Sequence, residues 1–388
     1  MEICMENMDI TRQYLVSAFL SMEHPQHLIS LAMKCGGGSI TPDVQHFIWA
    51  HCINRTDVYH HEPYLKSVMK KLIREIESTD GNVLDEFYER YASYVVSVKE
   101  DGAGKGDSWV VKCISFLFND GPKQVSIPLR CSLNMLQGDT GCALWPSSLF
   151  LSEFILSHPE LFTSKSCFEV GSGVGLVGVC LQHAKPSQVI LTDGDASTLA
   201  NQKINLKMNK IGNIDGEVDC RSNAVRCIHL PWESATESEL QQFMPDIVLG
   251  ADVIYDPSCI PHLVRVLTIL LRHKRPVDSK SCPNPKGLVR CTEKIDNEND
   301  DSVKSDNAIV QAATTKFLAE ETTSRPVALI ASVIRNIDTF NCFLDTSRRA
   351  NLVIRDLTDS IKFSNMIPYM ESYKRSDVRL FMLSYLRK

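Results

Sequence analysis

Hydrophobic positions along this chain change their period near residue 100. Before it they recur at helical spacing. Tyr14, Leu15, Ala18 and Phe19 make one stripe and His27 to Met33 another; Tyr64, Val68, Leu72 and Ile73 continue into Phe87, Tyr88, Tyr91 and Tyr94. A period of 3.6 puts each set on one helix face, so residues 1–100 read as a helical module broken at Gly36-Gly37-Gly38 and Asn82. Asp101-Gly-Ala-Gly-Lys-Gly-Asp107 follows as a linker or hairpin tip, and lacks the frame of a phosphate-binding P-loop. Trp109–Phe118 and Gln124–Cys131 are then apolar and β-branched around Asn119-Asp-Gly-Pro122, the pattern of a β-hairpin.

From Ser166 the pattern alternates. Short apolar runs at Ser166–Val170, Gln188–Thr192, Val225–His229, Ile247–Leu249, Pro326–Arg335 and Leu352–Leu357 are separated by helical stretches such as Ser197–Met208 and Phe340–Arg349. Strand and helix in alternation predict an α/β fold with a doubly wound, parallel sheet. Residues 101–388 are accordingly taken as one catalytic unit. Residues 278–324, with Asp296-Asn-Glu-Asn-Asp-Asp301 and few large apolar side chains, are expected to be a disordered insertion. Met366-Ile-Pro-Tyr369-Met-Glu-Ser-Tyr373-Lys is polar and aromatic, either a rim of a substrate site or a plain loop.

The candidate chemistry centres on Glu169-Val-Gly171-Ser172-Gly173-Val-Gly175, between a buried strand and a helix. Glycines there permit positive φ and close approach of a ligand, and a helix opening behind them presents N–H groups to an anion. Two frames fit. Gly173-x-Gly175-x-x-Gly178 with Asp193 about twenty residues on matches the dinucleotide fingerprint of an oxidoreductase; Glu169-x-Gly-x-Gly-x-Gly is an acid followed by three alternating glycines. Asp193 ends the next strand, where a carboxylate can take both hydroxyls of a ribose. Trp145 precedes a helix, Trp232 follows a strand end within Pro231-Trp-Glu233, and Ala251-Asp252-Val-Ile-Tyr255 follows another. Strand carboxyl ends face the ligand in such sheets, so Asp252 and Tyr255 are expected at its reactive end.

Composition narrows the partners. A formal net charge of −6 over 388 residues offers no general attraction to nucleic acid, which favours a protein or small-molecule substrate. The 14 cysteines lie singly, with no Cys-x-x-Cys pair and no zinc spacing. With no signal peptide and no long apolar run, they read as reduced thiols of a cytoplasmic or nuclear protein with no metal and no membrane association.

In their order, Trp145, the acid and alternating glycines, Asp193, Pro-Trp232-Glu and Asp252-x-x-Tyr255 resemble the protein-lysine methyltransferase branch of the seven-strand, class I methyltransferases, the elongation factor 2 lysine methyltransferases in particular. The resemblance covers residues 105–388, and extends to the helical N-terminal part. It implies a seven-stranded, mostly parallel sheet, with Asp377–Leu386 antiparallel beside the strand at Pro326–Arg335. S-adenosylmethionine is implied as methyl donor, held by Trp145, Glu169, Gly171, Ser172, Gly173, Gly175, Asp193, Trp232 and Ala251. Asp252 and Tyr255 would face a lysine of a protein substrate, elongation factor 2, and the enzyme would work as a cytoplasmic monomer. A nucleotide-dependent oxidoreductase and a non-catalytic binding protein on a vestigial fold are the competing readings.

Overall fold

The structure, a computed structural model, describes residues 8–55, 61–118, 124–133, 140–211, 225–272 and 316–386, apart from 101–108. The expected linker at 101–107, the hairpin turn at 119–122 and the insertion over 278–315 lie outside the described residues.

Five helices come first: α1 (Ile10–Leu20), α2 (Pro25–Cys35), α3 (Pro42–Ile48), α4 (Glu62–Ser78) and α5 (Asp85–Glu100). Their starts carry local signals. Asp9 accepts from the N–H groups of Thr11 and Arg12, Thr41 accepts from Val44, and proline opens α2 and α3, where its missing N–H costs nothing. The expected hairpin forms from β1 (Trp109–Leu117) and β2 (Gln124–Ser132), antiparallel with Ile114 opposite Ile127.

Among the described residues, seven helices and seven strands follow it: α6 (Pro146–Ser157), β3 (Ser166–Val170), α7 (Leu176–His183), β4 (Gln188–Asp193), α8 (Ala196–Met208), β5 (Val225–His229), α9 (Glu237–Leu240), β6 (Ile247–Ala251), α10 (Ile260–Leu271), α11 (residues 316–324), β7 (Val327–Val333), α12 (Ile337–Arg349), β8 (Leu352–Asp356) and β9 (Val378–Tyr385). The sheet runs β5-β4-β3-β6-β7-β9-β8, parallel except that β9 lies antiparallel between β7 and β8. This is the seven-stranded, mostly parallel sheet that the resemblance to class I methyltransferases implies. Strand order reverses between β3 and β6, and a crevice opens beyond their carboxyl ends there.

Alternation along each strand divides the core. Cys167, Leu191, Leu249 and Leu329 face the N-terminal helices, the hairpin, α6 and α7, whereas Phe168, Ile190, Val248 and Ile330 face α10 and α12. One departure concerns the expected insertion. Residues 316–324 are helical, with Leu318 and Thr322 buried. An apolar residue flanked by good helix formers was enough to dock α11 against the sheet, although the composition of the whole segment was polar.

The segment between β8 and β9 is a buried strap. Tyr369 is 0% exposed and accepts from the Ser115 N–H at 2.8 Å, while its carbonyl accepts from His27 Nε2 at 2.7 Å. Glu23 on the N-terminal side accepts from the N–H groups of Glu371 and Ser372, both at 2.9 Å. Glu153 on α6, fully buried, accepts from Met366 N–H, Tyr373 Oη and Arg375. Buried carboxylates are tolerated when so paired. The rim reading of Met366–Lys374 is therefore corrected: its tyrosines face the interior.

Candidate active site

The glycine turn after β3 is built from positive φ. Gly171, Gly173 and Gly175 stand at +63°, +51° and +84°, a region that costs other L-residues roughly 1–2 kcal/mol. Space is also short. A Cβ on Gly171 would lie 3.0 Å from Val253 and 3.4 Å from the Trp232 ring, and one on Gly173 would lie 3.0 Å from the Gly141 carbonyl. Gly178 has a different role, because a Cβ there would meet Leu191 at 2.5 Å; it lets α7 pack on β4.

Asp193 ends β4 above this turn. Its Oδ2 accepts from the Gly173 N–H at 3.0 Å and Oδ1 from the Asp195 N–H at 3.1 Å. Burial raises its carboxyl above the usual range, the two amides oppose that, and the Asp195 charge adds to it. Ser172 is tied below the turn, donating to the Thr192 carbonyl and accepting from Gln202. Glu169 lies deeper. It is 1% exposed, burial and then the Asp193 charge push its carboxyl well above the ordinary value, and its Oε2 has no hydrogen-bond partner among the described residues.

The opposite wall comes from three loops that converge on Asp252. This residue follows β6 with φ +54°, is 8% exposed, and donates its own N–H to the Ala331 carbonyl. Its Oδ1 accepts from the Val333 N–H at 3.1 Å, and its Oδ2 from the Ser147 N–H at 3.4 Å. Arg335 then grips both oxygens, at 3.1 and 3.3 Å, and its guanidinium lies 5.2 Å from the centre of the Trp145 ring. Trp145 is itself fixed, Nε1 donating to the Thr140 carbonyl at 2.9 Å.

Trp232 hangs from the turn after β5, which Arg265 on α10 secures by donating to the carbonyls of Trp232 and Ala235. Its indole Nε1 is buried without a partner among the described residues. Tyr255 is 62% exposed at the mouth; partial withdrawal of its hydroxyl from water, then the charges of Cys259, Asp193, Asp256 and Glu233, raise its proton affinity.

These groups enclose a cavity of about 480 Å³, within the range of roughly 300–1,000 Å³ usual for small-molecule sites. Of the residues expected from sequence, Trp145, Gly171, Gly173, Asp193, Trp232, Ala251, Asp252 and Tyr255 line it; Glu169, Ser172 and Gly175 support it from behind. Thr140, Gly141, Thr198 and Arg335 line it too and were not anticipated. Arg335 had a signal, since it stands just past the carboxyl end of β7. Among the described residues no group of His, Cys, Asp and Glu side chains is set to hold a metal, the cysteines are free thiols, and no helix is long and apolar enough to cross a membrane.

Residues 124–279 match a family described as lysine methyltransferase. Over 208 residues the chain is 30% identical to the human protein-lysine N-methyltransferase EEF2KMT, covering 53% of this chain and 59% of that protein. It is 29% identical to the protein-lysine N-methyltransferase EFM3 of Chaetomium thermophilum, covering 54% and 64%. An uncharacterized protein of Dictyostelium discoideum is 27% identical over 351 residues, 84% of this chain and 81% of that one. The chain thus spans about three-fifths of the two named enzymes it matches.

Proposed function

We propose, from the match of residues 124–279 to a lysine methyltransferase family, that the chain transfers the methyl group of S-adenosylmethionine to a lysine side chain of a protein, elongation factor 2 by resemblance. One observation carries the reading: the cavity at the β3–β6 switch point has the glycine turn, Asp193 and Trp232 on one side and Asp252 and Tyr255 on the other. The free thiols support a reducing compartment, the cytoplasm.

The residues present fit the donor. Gly171 and Gly173 leave room that a Cβ would fill, Trp232 offers a ring face and a buried N–H unpartnered among the described residues, and Asp193, which accepts only from backbone amides among the described residues, suits the two hydroxyls of a ribose. S-adenosylmethionine, when bound, supplies a methyl carbon on a positively charged sulfur. The chain supplies position. An amine must approach as the neutral base, in line with the bond that breaks, and holding it there is the larger part of such catalysis. Lysine is ordinarily protonated at neutral pH. Tyr255, exposed at the mouth, is placed to orient the nitrogen by a hydrogen bond, and water takes the proton. Asp252 is engaged by three donors already, so it serves by fixing the walls of the slot.

The test is to incubate the protein with labelled methyl donor and cell extract and identify the labelled band and residue. Label on a lysine of elongation factor 2 supports the whole reading; label on another protein keeps the chemistry and replaces the substrate. In parallel, S-adenosylhomocysteine should raise the melting temperature and NAD should not. The reverse result would return the dinucleotide reading.

A further inference from the structure

The charges lining the cavity pose a question. Asp193, Asp195, Glu233 and Asp252 are carboxylates, and among the described residues Arg335 is the only Lys, Arg or His that lines the cavity. Like-charge repulsion from a sulfonium disfavours a guanidinium in such a slot. Yet Arg335 lies end-on against Asp252, its two Nη atoms donating one to each oxygen, and its guanidinium stands over the Trp145 ring. The carboxylate is nearly sealed, with 5% of its side chain exposed, whereas 43% of the arginine side chain remains accessible.

We propose that Arg335 is a positioning residue that cancels the charge of Asp252, so that this carboxylate adds no net negative charge at the end of the slot where the methyl group is passed. This rests on the methyltransferase reading above. A bare carboxylate there would attract the lysine as its ammonium form and hold it so, since an opposite charge nearby favours the charged state. Paired with Arg335, the carboxylate still organises the loops through the amides of Ser147 and Val333, but does not stabilise a proton on the incoming amine. Asp193, Asp195 and Glu233 line the same cavity, from the loops after β4 and β5.

The charge difference between S-adenosylmethionine and S-adenosylhomocysteine reads this directly, because the two differ by a methyl group and one positive charge. Calorimetric titration of both ligands into the full chain gives the ratio of their affinities. In Arg335→Gln, Asp252 is left uncompensated, and the preference should move towards S-adenosylmethionine by about three- to tenfold, the effect of one charge at ~8 Å and an effective dielectric of ~40. Asp252→Asn should move it the opposite way, and Arg335→Lys should stay within about twofold of wild type. A matching shift is expected in the pH profile of methyl transfer, with the acid limb of Arg335→Gln displaced to higher pH. An unchanged affinity ratio in both Arg335→Gln and Asp252→Asn overturns the proposal. If the wild-type chain binds neither ligand, the methyltransferase reading itself has failed, a result distinct from an unchanged ratio.

Discussion

Replacing Asp252 by alanine should untie three loops at once, and the cost can be worked from the contacts. Ser147 and Val333 lose the acceptors of their backbone N–H groups, and an N–H left unsatisfied in a buried position costs about 1–2 kcal/mol. The left-handed φ of +54° adds roughly 1 kcal/mol for alanine, because aspartate tolerates that region better. Arg335 is partly exposed, so its loss adds little after it turns to water. The sum is about 3–5 kcal/mol, which urea denaturation resolves as a lower midpoint at unchanged slope. Asparagine keeps one oxygen and the left-handed tolerance, and should fall between alanine and wild type. Methyl transfer should be abolished in the alanine variant while S-adenosylhomocysteine still binds. An unfolding free energy within about 1 kcal/mol of wild type would show that the carboxylate is not what ties the walls.

Three further outcomes follow from the same geometry. Gly171→Ala should cost about 1–3 kcal/mol and weaken S-adenosylhomocysteine binding by calorimetry, since its Cβ lands against Val253 and Trp232; unchanged affinity would mean the turn does not approach the ligand. Tyr255→Phe should reduce kcat by about 10- to 100-fold with affinity for S-adenosylhomocysteine and melting temperature unchanged, the residue being exposed at the mouth, and full activity would exclude its hydroxyl from the reaction. Glu169→Gln tests a pH dependence. The Glu169 carboxyl is raised on folding, so the folded state holds the proton more tightly and wild-type stability falls as pH climbs from the unfolded value towards the folded one, by at most about 1.4 kcal/mol per pH unit. Glutamine removes that slope, so the difference in melting temperature, variant minus wild type, should grow between pH 5 and pH 8; a constant difference contradicts it.

Strand, glycine turn and helix were legible because each leaves a local mark: an apolar run, residues able to take positive φ, then a 3.6-residue period. The antiparallel β9 beside β7 and the seven-stranded, mostly parallel sheet came from resemblance and were met by the strand pairing. What sequence could not supply was reach. Arg335 follows Asp252 by 83 positions, and nothing local links them; only sheet topology sets β6 and β7 side by side. Tyr369 and Tyr373 misled for a related reason. Aromatic residues amid polar ones suit a surface rim and a buried strap equally, and the choice was made by Glu23 and Glu153, more than 200 positions away along the chain.

Glu23 and Glu153 hold the strap from two sides, one from the N-terminal helices and one from the flank of the sheet. Cutting the chain near residue 100 would strip the amides of Glu371 and Ser372 of their acceptor and bare the face of β1 that packs on α1. A fragment beginning at the hairpin would therefore be a wounded protein rather than a minimal one, prone to self-association, and its inactivity would say nothing of whether the helices touch substrate.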